Sequence, residues 1–215
     1  MITLHYFPGN ASMTPHLLLR ELGVPFELAL VDRAKAAQKS PAYLKLNPNG
    51  LIPVLVDGEL VLYETAAIVL HLVDTHPQAG LAPVLATAER AHFYKWLIWM
   101  SSTVQSQMPM YFYSDRYVNP GNAAGAAEVK AQAETRIAAL LDQMEAQLTA
   151  HGGPWLLGER FSALDPYAFM LSRWTRGMQR PARTLPNLGA FQQRMLARPA
   201  VQQVFEIEGL AAPFV

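Results

Sequence analysis

The 215-residue chain contains no cysteine, and lysine plus arginine balance aspartate plus glutamate at 17 each. The first absence rules out disulfides, a zinc–thiolate site and a cysteine nucleophile, and it suits a reducing compartment. The second removes the basic excess that marks nucleic-acid binders and proteins held on anionic membranes. No run of about 18 apolar residues is present to suggest a membrane span. The opening MITLHYF lacks the basic stretch and long apolar run of a secretory signal, so the reading places the chain in the cytoplasm. Histidines 16, 71 and 92 are isolated and show no metal-ligand spacing, so no metal site is expected. There is no internal repeat and no low-complexity tract.

What the chain has is apolar residues, 51% of the total, arranged in two styles. Residues 1–79 mix strand and helix patterns. Ile2–Phe7 alternates as a strand, and Pro15–Leu22 reads as a helix stopped by Gly23. Phe26–Val31 is a second strand. A polar segment, Asp32–Ser40, leads to a short helical piece at Pro41–Leu46. Pro53–Val56 and Leu60–Tyr63 read as a hairpin through Asp57-Gly58, and Thr65–Thr75 as a helix. The order is β-α-β-α-β-β-α. His76–Pro83 reads as a linker. Residues 86–215 carry helical patterns only: Ala86–Met108, Ala126–Ala150 with Ile137, Leu140, Leu141, Met144 and Leu148 as its apolar face, Leu164–Arg176, Leu188–Leu196 and Val201–Glu206. The expected fold is an α/β domain followed by an all-α domain.

Pro53 is odd in this pattern. Proline removes a ladder donor, yet it stands at the mouth of the apolar run IPVLV. From the residues alone it is either a trans proline opening an edge strand or a cis proline that bends the backbone. Ser12 lies between the first strand and the first helix. It is either a helix cap, a duty Thr14 before Pro15 could also perform, or a hydroxyl near a helix N-terminus that favours negative charge.

The element order, with YFPGNASMTPHLLLRELGVPFEL, NPNGLIPVLVDGELVLYETAAIVLHLVD and FSALDPYAF, resembles the soluble glutathione transferases over essentially the whole chain. The PG-x-x-S-x-x-PH spacing is most similar to the bacterial beta-type and related classes. The resemblance implies a thioredoxin-like first domain and glutathione as co-substrate. It implies that the Ile52–Pro53 bond is cis, and that the Ile52 backbone pairs with the cysteinyl part of the tripeptide. It makes Ser12 the catalytic residue that hydrogen-bonds the glutathione sulfur, with Asn10 as the other candidate. Glu64 and Thr65 would hold the γ-glutamyl ammonium and carboxylate, Lys35 or Lys39 the glycine carboxylate, and Asn49 the adjoining turn. Phe7, Trp99, Met100, Thr103, Gln107, Tyr111 and Tyr113 are the candidates for the wall of a hydrophobic second-substrate site. For each of these residues ordinary packing or a solvated surface is the competing explanation.

Two departures stand out. Ala11 occupies the place of the usual beta-type cysteine, which bears on any mixed disulfide with glutathione, and Leu51 replaces a common glutamine. The Ser162-Ala163-Leu164-Asp165 motif is capping-box-like, with Asp for Glu, and the resemblance implies a structural rather than a catalytic role for it. The implied activity is attack of glutathione thiolate on a hydrophobic electrophile by a cytoplasmic homodimer engaged in detoxification. A glutathione-dependent disulfide reductase or isomerase, or a non-catalytic binding protein on the same fold, are the alternatives.

Overall fold

The computed structural model describes residues 1–215 and divides into two compact units. One comprises Met1–Ala82 with Met195–Ala212, the other Pro83–Arg194 with Pro213–Val215. From the sequence, residues 86–215 are expected to form the helical domain. In the structure the segment Met195–Ala212 returns to the first unit.

The first unit is built on strands β1 (Ile2–Tyr6), β2 (Phe26–Leu30), β3 (Val54–Asp57) and β4 (Leu60–Tyr63), in the order β2-β1-β3-β4. β1 is parallel to β2 and antiparallel to β3, and β3 is antiparallel to β4. The β3–β4 turn needs only Gly58 and Glu59, with Gly58 at φ +61°. Alternation along β1 sends Ile2 and Leu4 into the core, where Leu4 stands opposite the buried Leu55 of β3. Helices α1 (Met13–Leu22) and α3 (Thr65–Thr75) pack together, and the short α2 (Pro41–Leu44) carries Tyr43 into a cluster with Val31, Ile52 and Val54. α1 starts two residues before the expected Pro15, so Thr14 lies inside the helix and is buried rather than capping it. Gly23 closes α1 in the left-handed region, as its position in the sequence implied.

Helix α9 (Pro199–Ile207) packs on α1. Arg198 makes a bidentate pair with Glu21 of α1, both contacts at 2.7 Å. Just beyond the helix, the buried Glu208 splits its carboxylate: Oε1 lies 2.8 Å from His16 Nδ1, and Oε2 accepts from Gly9 N–H at 2.8 Å. A carboxylate with no exposed surface is tolerable only when paired and hydrogen-bonded in this way.

The second unit contains α4 (Ala88–Trp99), α5 (Met108–Phe112), α6 (Ala123–His151), α7 (Leu164–Trp174) and most of α8 (Pro186–Leu196). The expected continuous helix over Ala86–Met108 is interrupted. After Trp99 come a π-helical turn at Met100–Val104 and a 3-10 turn at Gln105–Gln107. Pro109 has no N–H for the carbonyl of Gln105. Ser102 and Ser106 also turn their hydroxyls back onto the carbonyls of Ile98 and Ser102, a contact that bends helices. α6 starts three residues earlier than its apolar pattern suggests because Asn122 caps it, Oδ1 accepting from Gly125 N–H at 2.9 Å. Its expected apolar face is buried as read, with Ala133 added.

α7 is buried along nearly its whole length and is anchored by Asp165. That carboxylate accepts from Ser162 N–H at 2.7 Å, Ser162 Oγ at 3.2 Å and Leu156 N–H at 2.9 Å. Replacing it strands buried donors, each costing about 1–3 kcal/mol. Asp165→Ala is therefore expected to destabilise the protein by about 3 kcal/mol or more in urea unfolding. A loss below about 1 kcal/mol would show that the clamp is not a major support of the helical unit.

Candidate functional site

Strand register gathers the candidate residues of the first unit. His5 of β1 pairs with Val54, the first residue of β3, and Val54 pairs with Tyr63, the last residue of β4. The loop after β1, the segment before β3 and the start of α3 therefore leave the same end of the sheet. β2 runs parallel to β1, and Val31 N–H donates to Tyr6 O at 2.9 Å, so the turns after β2 join them. Phe7, Asn10, Ser12, Lys35, Lys39, Asn49, Ile52, Pro53, Glu64 and Thr65 all belong to this end.

The Phe7–Ser12 loop is tied to itself. Asn10 N–H donates to Phe7 O at 3.1 Å, and Gly9, at φ +67°, gives its N–H to Glu208. Ser12 has no exposed surface. Its Oγ accepts from Phe7 N–H at 3.2 Å and donates to Phe7 O at 3.1 Å. The hydroxyl thus makes no cap bond on α1, and it faces the loop backbone rather than open space. The Phe7 backbone engages the Ser12 hydroxyl as both donor and acceptor. Asn10 is half-buried, with Oδ1 accepting from Ala11 N–H at 2.6 Å.

The segment before β3 is held more tightly still. Asn47 is almost fully buried. Its Oδ1 accepts from Asn49 N–H at 3.0 Å, its carbonyl from Gly50 N–H at 2.9 Å, and its Nδ2 donates to Leu51 O at 2.9 Å. Tyr43 Oη donates to the same Leu51 oxygen at 2.8 Å. Gly50, at φ +61°, admits no side chain, since a Cβ would meet Gln38 O at 2.8 Å and Lys39 Nζ at 2.7 Å. The Ile52–Pro53 bond is cis. Burial pushes the Tyr43 hydroxyl up to about 12, so it stays a donor at neutral pH. Burial lowers His5, whose ring meets Tyr43 edge-on.

At the start of α3, Glu64 has φ +73° and ψ 116°, which is rare for a residue with a side chain. Its carboxylate is exposed and makes no cap bond, while Thr65 beside it is buried. Simple capping therefore does not account for Glu64. Lys35 points into solvent and pairs with Asp32 at 3.0 Å, and its hydrogen bond holds the Asp32 carboxyl below the usual carboxylate range. Lys39 Nζ donates to Asn49 O at 3.2 Å, which ties one candidate lysine to the turn.

In the second unit Met100 is fully buried. Trp99, Thr103, Gln107, Tyr111 and Tyr113 are half-buried along the interrupted helix. Trp99 meets Trp96 edge-on at 5.0 Å between ring centres. Tyr111 lies under Lys130 Nζ at 4.9 Å, and burial, with Glu134 nearby, raises its hydroxyl above the ordinary value. The exposed Phe112 stands edge-on to Trp174 at 6.4 Å, an aromatic pair the sequence reading missed. It also missed Tyr43, Asn47 and Glu208. Asn47 could have been found in the turn-forming NPNG. Nothing local marks Glu208, 199 positions from its partner Gly9.

Comparison with known proteins matches both halves of this arrangement. Residues 1–74 fit the model of the glutathione S-transferase N-terminal domain, and residues 110–207 that of the C-terminal domain. The chain is 34% identical over 207 residues to glutathione S-transferase GST-4.5 of Xanthomonas campestris pv. campestris, covering 96% of this chain and 98% of that one. A glutathione transferase homologue from Sulfitobacter, solved with bound glutathione, superposes with a TM-score of 0.88 at 30% identity, over 98% of this chain and 99% of that one. The bacterial beta-class glutathione S-transferase of Sphingomonas chungbukensis gives 0.82 at 30% identity, over 97% and 100%. With two domain models matched in order and a full-length relative at this identity, the chain belongs to the glutathione S-transferase family.

Proposed function

We propose that the protein is a glutathione transferase that joins glutathione, through its sulfur, to hydrophobic electrophiles. The observation that carries the reading is the sheet end where β1, β3 and β4 stand in register. It collects a cis-proline segment, a loop at a helix N-terminus and an exposed carboxylate on a strained backbone. A γ-glutamyl tripeptide presents matching chemistry. Its ammonium suits Glu64, its carboxylate the Thr65 hydroxyl at the start of α3, and its cysteinyl amide the backbone of Ile52. Its glycine carboxylate suits Lys39 or Lys35, with Asn49 in the turn beneath.

The thiol loses its proton to solvent. The thiolate pair then forms the carbon–sulfur bond, and the leaving group departs with its bonding electrons. The protein holds sulfur and electrophile together and favours the thiolate near the N-terminus of α1. The buried, doubly bonded Ser12 supports a loop-holding part, which leaves Asn10 to face the sulfur. In the helical unit, Trp99, Thr103, Gln107, Tyr111 and Tyr113 remain the proposed contacts for the second substrate. A cytoplasmic, detoxifying homodimer completes the reading. The outer edge of β4, with Leu60 and Val61 41% and 40% exposed, is a surface that a second copy would cover.

Titration with reduced glutathione, and turnover with chlorodinitrobenzene, test this directly. The wild type should bind and form the thioether. Glu64→Ala should weaken glutathione by about tenfold or more, the scale of a charge-assisted hydrogen bond. No binding at millimolar glutathione would sink the proposal. The thiolate absorbance of bound glutathione should fall in Asn10→Ala and persist in folded Ser12→Ala. The opposite pattern would return the sulfur contact to Ser12.

Glu64 also supports a prediction that sets stability against function. A side chain at that backbone geometry costs about 1–3 kcal/mol, partly offset by the extra entropy a glycine loses on folding. Glu64→Gly should therefore raise stability in urea by about 1 kcal/mol while glutathione affinity falls. Lower stability would show that Glu64 is not a site of stored strain.

A further inference from the structure

The carbonyl of Leu51 accepts two hydrogen bonds, from Tyr43 Oη at 2.8 Å and from Asn47 Nδ2 at 2.9 Å. A carbonyl oxygen has two lone pairs, so this acceptor is saturated from the protein side. Ile52–Pro53 is the cis bond of the chain, so the Leu51–Ile52 peptide is trans. In a trans peptide the C=O and N–H of one plane point in opposite directions. Drawing the Leu51 oxygen inward, toward Tyr43 and Asn47, therefore turns the Ile52 N–H the other way.

Both donors are themselves fixed. Tyr43 is buried in the cluster with Val31, Ile52 and Val54, on a helix capped by Ser40 Oγ, which accepts from Tyr43 N–H at 3.2 Å. Asn47 N–H donates to Tyr43 O at 3.0 Å, and its side chain spans the turn from Asn49 to Leu51. We infer that Tyr43 and Asn47 are positioning residues which, by holding the Leu51 oxygen, aim the Ile52 N–H at the cysteinyl carbonyl of the bound peptide. The inference rests on the proposed pairing of Ile52 with glutathione, and it adds the two side chains that set the direction of that pairing. Neither touches the ligand.

Two ligands isolate the effect: γ-glutamylcysteinamide, which keeps the cysteinyl carbonyl, and γ-glutamylcysteamine, which lacks it. Wild type should prefer the first. In Tyr43→Phe and in Asn47→Asp that preference should shrink about fivefold, the scale of one weakened hydrogen bond. Lower melting temperatures with the full preference retained would make the two residues merely structural and overturn the inference. Amide exchange on the wild-type protein gives a check independent of the variants. The Ile52 N–H should be slowed by γ-glutamylcysteinamide and left unchanged by γ-glutamylcysteamine. Equal protection without ligand would mean that it points inward, which also overturns the inference. If wild type binds glutathione but the variants keep the preference, only the positioning claim falls. If wild type binds no glutathione, the functional reading falls, and this inference with it.

Discussion

The register of β3 between β1 and β4 is the constraint on which the site depends. Strand side chains alternate, so a slip of one residue would turn Val54 and Leu55 to opposite faces and break two clusters at once. Leu55 stands opposite Leu4 on the face of the buried core, and Val54 packs with Tyr43 and Ile52. With that register fixed, every segment leaving this end of the sheet has its starting point fixed too. Short-range hydrogen bonds then hold much of the shape of the loops. The Phe7–Ser12 loop does this through one hydroxyl and one backbone carbonyl. The segment before Pro53 does it through one asparagine whose backbone and side-chain polar groups are all engaged.

The loop after β1 also depends on distant sequence. Glu208 reaches Gly9 and His16 from beyond the last helix, and Arg198 reaches Glu21. These contacts anchor the chain's final helix to its first. The same carboxylate both joins the two helices and orders the glycine next to Asn10. Loosening the C-terminal segment would therefore be felt in the loop without any change to a ligand contact.

What the sequence disclosed follows from the range of the forces involved. Helix α3, the β3–β4 hairpin and the apolar face of α6 are set by neighbours in the chain, and the residues announce them. The 3-10 turn at Gln105–Gln107 was also local in origin, since Pro109 marks it, but a strong apolar pattern across Ala86–Met108 masked it. The full burial of Met100 was not legible for a related reason: helical spacing gives a face, and burial depends on what packs against that face. Ser12 shows the deeper limit. Its place between strand and helix was legible, but the direction of its hydroxyl is decided by the turn of the Phe7 backbone toward it, and no pattern of residue types encodes that.

Two backbone positions on either side of Pro53 show how the site divides geometry from chemistry. Gly50 and Glu64 both have positive φ. At Gly50 the space is filled by Gln38 O and Lys39 Nζ, so glycine is the residue that fits. At Glu64 the side chain has room and is exposed, and glycine would adopt the conformation at less cost. The turn is forced there because β4 ends in register at Tyr63 and the buried Thr65 already begins α3, so one residue must redirect the chain. A strained glutamate that makes no cap bond contributes little to the fold that a glycine could not supply. Under the proposed function, its exposed carboxylate stands where the ammonium of the tripeptide would meet the end of the sheet.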